Sequence, residues 1–293
     1  MSETLSFLHD GTIGDVWARL PALKEYHKQT GKKCVYYLTN GQTVDYYPGA
    51  THPTRDENNK MVMLNPEMID MIVPLLKAQP YIADAKIHED EKIDVDLNRI
   101  RTSFVNQPYG MLSRWYFYVY PDLACDLSKE YIFIPETEKD FVKGKIIIAR
   151  TERYNNNFVD YSFLKEYEDD LVFSGTIREY NNFCMNFDLN IKKLHVNNFL
   201  ELAQAIKQSK GLISNQTQIF QIAEGLKTPR AVELCNYAPN VVPIGENAFD
   251  FYAQIGLECY FHKLNGTWEK YKEMHILKNP AVKDEVVVDK QVD

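Results

Sequence analysis

The chain has no CxxC pair among its five cysteines, Cys34, Cys125, Cys184, Cys235 and Cys259. Scattered thiols of this kind build neither a zinc site nor a dithiol redox motif. They suit a reducing cytoplasm, where we expect the protein to reside. The first residues, MSETLSFLHDG, lack the basic start and the long apolar run of a secretory leader. No apolar run reaches membrane-spanning length, so no integral membrane span is expected. An excess of positive charge is also missing. The net charge is −8, which disfavours nucleic acid and anionic lipid as partners. The glycine spacing near the start is Gly11-Thr12-Ile13-Gly14, with no third glycine. The dinucleotide fingerprint is therefore incomplete, and a nicotinamide enzyme has no support. No cluster of His or Cys joins the acidic stretch His88 to Asp96, so that stretch reads as a solvated loop and not a metal site.

What is present is a globular chain of 293 residues, 45% hydrophobic and 25% charged, with 19 Tyr and 15 Phe to fill a core. LSFLH, a turn bearing Gly11 and Gly14, a helix from Asp15 to about Gln29 and the run KCVYYL make a βαβ opening. Gly31 suits the end of that helix. Gly11 and Gly14 let the backbone turn tightly after the strand. Asp15 at the helix start has two roles open to it. It complements the helix dipole, or it is a carboxylate at the carboxyl edge of a parallel sheet, where general bases sit.

The polar stretch Thr39 to Lys60 is longer than an ordinary connection and is expected to be a binding loop. Asn65 and Pro66 open a second helix, running to Ala78. Ala83 to Ile87 and Tyr131 to Ile134 read as strands, the latter at an edge. The aromatic run within Phe104 to Val119 reads as core or inter-domain packing, with a sugar-stacking platform as the rival.

A polar, charged stretch from Glu136 to Gly144 sets the expected domain boundary. Residues 1–140 are expected to form the first domain, 141–275 the second and 276–293 a tail, whose final stretch, Lys283 to Asp293, is charged and expected to be mobile. KIIIA, Lys145 to Ala149, is an apolar run of the buried parallel-strand kind, and Arg150 and Arg153 follow at its carboxyl end. They are either an anion clamp or surface partners of nearby acids. Tyr161 to Tyr167 reads as helical, Leu171 to Ser174 as a strand stopped by Gly175 and Thr176. Phe199 to Ser209 is a helix and Gly211 to Ile213 a strand. The polar loop Ser214 to Gln218 then feeds another helix. Such a loop either holds an anionic group at the helix start or simply caps the helix. A strand near Lys227 to Cys235, a strand at Val241 to Ile244 and a helix at Asn247 to Ile255 complete the expectation. The fold class is α/β, with two doubly wound units.

The stretch GTIGDVWARLPAL, Gly11 to Leu23, resembles the opening of family 9 glycosyltransferases, the ADP-heptose:lipopolysaccharide heptosyltransferase group. SNQTQIFQIAEGL, Ser214 to Leu226, resembles that family's second signature through Asn215, Thr217, Ala223 and Leu226. Three positions depart from it: Gln216 replaces Asp, Gln218 replaces Gly, and Gln221 replaces His. With Arg150 and Arg153, the chain is similar to a divergent subgroup of bacterial and phage proteins. The resemblance runs from about residue 5 to 262 and is loose between Thr39 and Asp140.

It implies a GT-B-like fold, two Rossmann-like domains facing a cleft. A nucleotide-diphosphate sugar would lie on the second domain and a glycan or other hydroxyl acceptor on the first, with no cofactor and no metal. Asp15 would be the general base of an inverting displacement. Arg150 and Arg153 would clamp the diphosphate, and Asn215, Gln216, Thr217 and Gln218 would donate to phosphate or ribose. Gly175 and Thr176 would line the same cleft, and Glu233 would contact ribose or base. Two other functions suit the same fold: a nucleotide-sugar-binding protein without turnover, which the three glutamine departures favour, and a nucleotide-sugar epimerase.

Overall fold

The computed structural model describes residues 4–44, 52, 54–106 and 109–276. Most of the tip of the Thr39 to Lys60 loop and the tail after Ile276 lie outside the described residues.

Two parallel sheets organise the chain. The first contains β1 (Thr4–His9), β2 (Lys33–Leu38), β3 (Ile82–Ile87) and β4 (Val95–Asp96), in the order β3-β2-β1-β4. Helix α1 (Ile13–Thr30) joins β1 to β2, and α2 (Pro66–Lys77) leads into β3. The local signals act as chemistry requires. Gly31 ends α1 in the left-handed region at φ 70°. Asn65 accepts a hydrogen bond from the Met68 N–H at 2.8 Å, and Pro66 begins α2. Helix α3 (Leu112–Val119) closes this half.

The second sheet is built from β5 (Ile146–Ala149), β6 (Leu171–Phe173), β7 (Lys192–Lys193), β8 (Gly211–Asn215), β9 (Arg230–Glu233) and β10 (Ala248–Phe251). Its order is β10-β9-β8-β5-β6-β7. With β5 counted as the first strand, this is the doubly wound Rossmann order, whose direction reverses between β5 and β8. The connecting helices are α4 (Ile177–Phe187), α5 (Phe199–Gln208) and α6 (Gln218–Leu226). The chain then passes through α7 (Gln254–Leu264) and α8 (Trp268–Tyr271).

Strand β5 shows why its apolar run is unbroken. Successive side chains on a strand face opposite ways. Ile147 and Ala149 enter the core shared with α5 and α6, while Ile146 and Ile148 enter a second core with Phe183, Leu257 and Phe261. Both faces are covered, so both must be apolar.

Helix α1 is buried from Val16 through Leu23, on every side rather than along one stripe. It packs against the first sheet and also against α6, and α2 packs against α5. Trp17 meets Phe199 edge to face at 5.8 Å. The layers run sheet, helices, helices, sheet, and one hydrophobic core joins the halves. These are two Rossmann-like α/β domains in a GT-B-like arrangement with a central cleft.

Four expectations are corrected. Val95–Asp96, in the stretch read as a solvated loop, pairs with β1 through Phe7 and Leu8. Tyr131 to Ile134 is not a strand. The Tyr131 and Ile132 N–H groups both donate to the Gly225 carbonyl of α6, at 2.9 and 3.1 Å. That crossing requires glycine, because a Cβ on Gly225 would lie 2.4 Å from Ile132. Val241 to Ile244 is also irregular: the buried Arg230 guanidinium holds the Ile244 carbonyl at 2.6 Å and that of Glu246 at 3.2 Å. The strand follows at Ala248–Phe251, inside the stretch read as helix, and the helix begins only at Gln254. The helical reading of Tyr161 to Tyr167 holds, in 3-10 form, over Ser162–Asp170.

Candidate functional site

The first sheet also reverses direction, between β1 and β4, and the loops that leave these two strands form one side of the site. After β1 the chain runs His9, Asp10, Gly11, Thr12. After β4 it turns through a 3-10 stretch, Leu97–Thr102. The Asn98 Oδ1 ties the two loops together, accepting from the Asp10 N–H at 2.7 Å and from Arg19 Nη1 at 2.9 Å.

Asp15 caps α1. Its Oδ2 accepts from the Thr12 N–H at 2.9 Å and from the Thr12 hydroxyl at 3.1 Å. The same oxygen accepts from Arg101 Nη2 at 3.0 Å. The hydrogen bonds that described residues make to this carboxylate fall on Oδ2, which leaves Oδ1 for a ligand. Gly11 is required here: a Cβ on it would lie 2.8 Å from Asp15 Oδ2 and 2.9 Å from Arg101 Nη2. Gly14 is not required for the turn. It sits in the first turn of α1, where a Cβ would meet only the Thr12 hydroxyl, at 3.9 Å.

Behind Asp15 lies Arg19, fully buried. Its guanidinium donates to the Tyr116 hydroxyl at 2.6 Å as well as to Asn98, and no carboxylate of the described residues lies within 4.0 Å of it. An unpaired buried cation is unusual in a fold. Its field reaches both neighbours. Burial pushes His9 well below the usual histidine value, and the charges of Arg19 and Arg101 push it the same way. Burial raises the Asp10 carboxyl, against the pull of Arg101 and Arg19.

The opposite side is the β5–β8 reversal. Here Arg150 and Glu233 are brought together, but with each other. The guanidinium donates to both carboxylate oxygens at 2.8 Å. Glu233 is fully buried and also accepts from the Tyr161 hydroxyl at 2.8 Å and the Asn156 N–H at 2.5 Å. Arg150 stacks over the rings of Tyr161 and Phe187.

The Asn215 side chain is likewise spent on the frame. It is fully buried, accepts from the Thr151 N–H at 3.0 Å and donates to the carbonyls of Thr151 and Arg153 at 3.1 and 2.8 Å. Gln216 pins the loop after β9, donating to the Ala238 carbonyl at 2.6 Å and accepting from the Cys235 N–H at 2.9 Å. Thr217 caps α6 by accepting from the Phe220 N–H at 3.2 Å. Gln218 differs. Its Oε1 is buried without a hydrogen-bond partner among the described residues, and so is that of Gln221, one turn along α6. Buried acceptors that find no partner among the described residues are uncommon in a folded protein.

Arg153 stays partly exposed and lies over the ring of Tyr154. Tyr154 adopts φ 58°, a strained conformation for an aromatic residue, and stacks on Tyr237. Gly175 and Thr176 sit one strand over, after β6. Thr176 forms a capping box with Glu179, and a Cβ on Gly175 would lie 2.8 Å from the Phe173 ring. Burial raises the Glu179 carboxyl.

The two sides face each other. The His52 ring, from the loop after β2, is held down to about 4 by burial and then by the charge of Arg153. The Leu112 N–H donates to the Asn240 carbonyl at 2.9 Å, and Asn240 Oδ1 accepts from Gln216. Sequence reasoning missed Arg19, Asn98, Arg101, Asn156, Tyr161 and Gln221 as parts of this site. Arg101 belongs to the run LNRIRT, whose two arginines after an acidic stretch were its one visible signal.

No family model matches this sequence, and no curated protein matches it. Its structure has relatives. It is similar to E. coli ADP-heptose lps heptosyltransferase II, at 10% identity and TM-score 0.58, over 92% of this chain and 99% of that one. It is similar to a family 9 glycosyl transferase from Veillonella parvula DSM 2008, at 13% identity and TM-score 0.52, covering 86% and 87%. A third is an E. coli heptosyltransferase solved with ADP, at 11% identity and TM-score 0.51, covering 90% and 98%. The likeness is to GT-B glycosyltransferase folds, at low identity. Among the described residues, no group of three or more His, Cys, Asp or Glu could hold a metal ion, and no helix is long and apolar enough to cross a membrane.

Proposed function

We propose that the protein is a glycosyltransferase that moves a sugar from a nucleotide-diphosphate sugar to a hydroxyl of a glycan or similar acceptor. The observation that carries this reading is the carboxylate of Asp15. One oxygen is fixed by Thr12 and Arg101 and the other is open, on the half that faces the amino end of α6.

Asp15 Oδ1 is placed to take the acceptor proton as the hydroxyl oxygen attacks the anomeric carbon. Negative charge then develops on the departing diphosphate. The amino end of α6, its unpaired backbone N–H groups and the partly exposed Arg153 supply the opposing field. The side-chain amides of Gln218 and Gln221 would bond the donor through their open acceptors, ribose hydroxyls being the natural complement. Arg150, Asn215, Gln216 and Glu233 serve differently from direct contact: they hold the strand-end loops in place. Gly175 and Thr176 shape the edge beside them. Charge neutralisation at the diphosphate thus draws on the helix end and an arginine.

A second reading is favoured by one observation. Asp15 Oδ2 is already engaged by Arg101 at 3.0 Å, which suits a protein that binds the nucleotide sugar without turnover. One experiment separates the two. Nucleotide diphosphates and nucleotide sugars are screened by thermal shift, since a ligand of the native state alone raises the midpoint. The stabilising donor is then incubated with glycan acceptors and product is followed. Transfer that is lost in Asp15→Asn while donor stabilisation persists supports the enzyme. Stabilisation without product in any acceptor supports the binding protein. No stabilisation by any nucleotide defeats both.

A further inference from the structure

We propose that an aromatic cavity at the start of α3 is a subsite for one neutral sugar ring of the acceptor. The proposal rests on the transferase reading and names what that reading leaves open, the chemistry of the acceptor.

The cavity measures about 270 Å3 and is lined by Phe104, Val105, Asn106, Tyr109, Trp115 and Tyr118. Its floor is fixed. Trp115 is 4% exposed, and its indole N–H donates to the Tyr109 carbonyl at 3.0 Å. The turn between them depends on Gly110 at φ 80°. Its rim is open: Phe104 is 84% exposed, Tyr109 55% and Tyr118 54%. On α3, Trp115 and Tyr118 are three residues apart and share a face, while Tyr116 between them turns inward to Arg19.

The lining decides the ligand class. It contains no charged side chain, so a phosphate or nucleotide diphosphate would find no counter-charge there. A sugar ring has a face of polarised C–H bonds and a rim of hydroxyls. Aromatic faces carry negative charge and suit the C–H face, and Asn106 offers a donor and an acceptor to the rim. The volume lies just under the roughly 300–1,000 Å3 of ordinary ligand pockets, which fits a single ring. A stable protein partner would need about 1,000 Å2 of buried surface, far beyond this cavity.

The location fits an acceptor. Phe104 follows Arg101 by three residues, so their Cα atoms lie within about 11 Å, and Arg101 is bonded to Asp15. At the other edge, Leu112 is bonded to Asn240, which is bonded to Gln216. The cavity thus adjoins both the stretch that carries Arg101 and the loop that Gln216 pins.

The test is saturation-transfer NMR on the full chain with neutral sugars: methyl glycosides of glucose, galactose, mannose and N-acetylglucosamine, and the disaccharides lactose and cellobiose. Phe104→Ala with Tyr118→Ala is compared with the parent and with Phe158→Ala, an exposed aromatic elsewhere. Should the double variant fold poorly, Tyr118→Ala alone replaces it. We expect saturation of ring C–H protons in at least one sugar, with affinity about tenfold weaker in the cavity variant and unchanged in Phe158→Ala. No saturation with any of these sugars overturns the proposal, as does equal binding by parent and variant. Loss of self-association in the variant without a sugar effect makes the patch a dimer contact and also overturns it. Nucleotide thermal shift is recorded in parallel. Sugar binding without nucleotide binding retains the subsite and removes the donor reading; nucleotide binding without sugar binding does the reverse.

Discussion

Arg150 and Glu233 lie 83 residues apart in the chain and meet in a two-pronged ion pair at 2.8 Å, beneath the β5–β8 reversal. The pair explains why an arginine at a strand's carboxyl end is not necessarily a ligand contact. The carboxylate is fully buried and already receives Tyr161 and Asn156. Without Arg150 it would be a buried charge short of its main partner.

Arg150→Ala is therefore expected to destabilise the fold by about 3–5 kcal/mol, read from urea unfolding. Arg150→Ala that unfolds like the parent but loses nucleotide binding would return Arg150 to the role of diphosphate clamp.

Asp15→Asn should keep most of the Thr12 cap, since an amide oxygen also accepts. Nucleotide-sugar binding should persist while the transfer rate falls by about 10²–10⁴. Initial rates at saturating donor decide this. Full activity in the variant removes Asp15 from the role of base.

Gly11 and Gly14 should respond oppositely to alanine. Gly11→Ala pushes a Cβ into both Asp15 and Arg101, so transfer should drop with the pair displaced. Gly14→Ala, in the first turn of α1 with open space around it, should gain up to ~1 kcal/mol of stability. Melting midpoints and rates of the two variants, measured side by side, test the contrast.

Stability should fall with acid through His52. Its folded value is about 4, below the ordinary 6.5. The unfolded state therefore takes up the proton first as pH drops. The contribution is fully present above about pH 6.5 and is lost as pH falls toward 4. His9, depressed in the same direction, steepens the trend. Urea midpoints at pH 7 and pH 5 should differ less in His52→Gln than in the parent; an equal difference would show that His52 does not carry the effect.

The alternation of strands and helices was legible because its signals are local: the left-handed Gly31, the Asn65–Pro66 start, and the run of Ile146 to Ile148. What escaped has a non-local cause. Val95–Asp96 is a strand only because Phe7 and Leu8 lie beside it. Tyr131–Ile132 resembles a strand in composition, but its N–H groups are taken by Gly225. The delayed start of α7 follows from the pairing of Ala248–Phe251 with β9. In the site, Asp15 and the α6 loop could be picked out from the sequence. Arg101 reaches Asp15 across 86 residues, a pairing that no sequence spacing announces.

Helix α1 is buried on every side from Val16 through Leu23 because it lies between its own sheet and α6. Neither half can be separated from the other without baring Trp17, Phe199 and the surfaces around them to water. A chain cut near residue 140 would yield two sticky fragments rather than two working modules. Heating the intact chain should give one calorimetric peak.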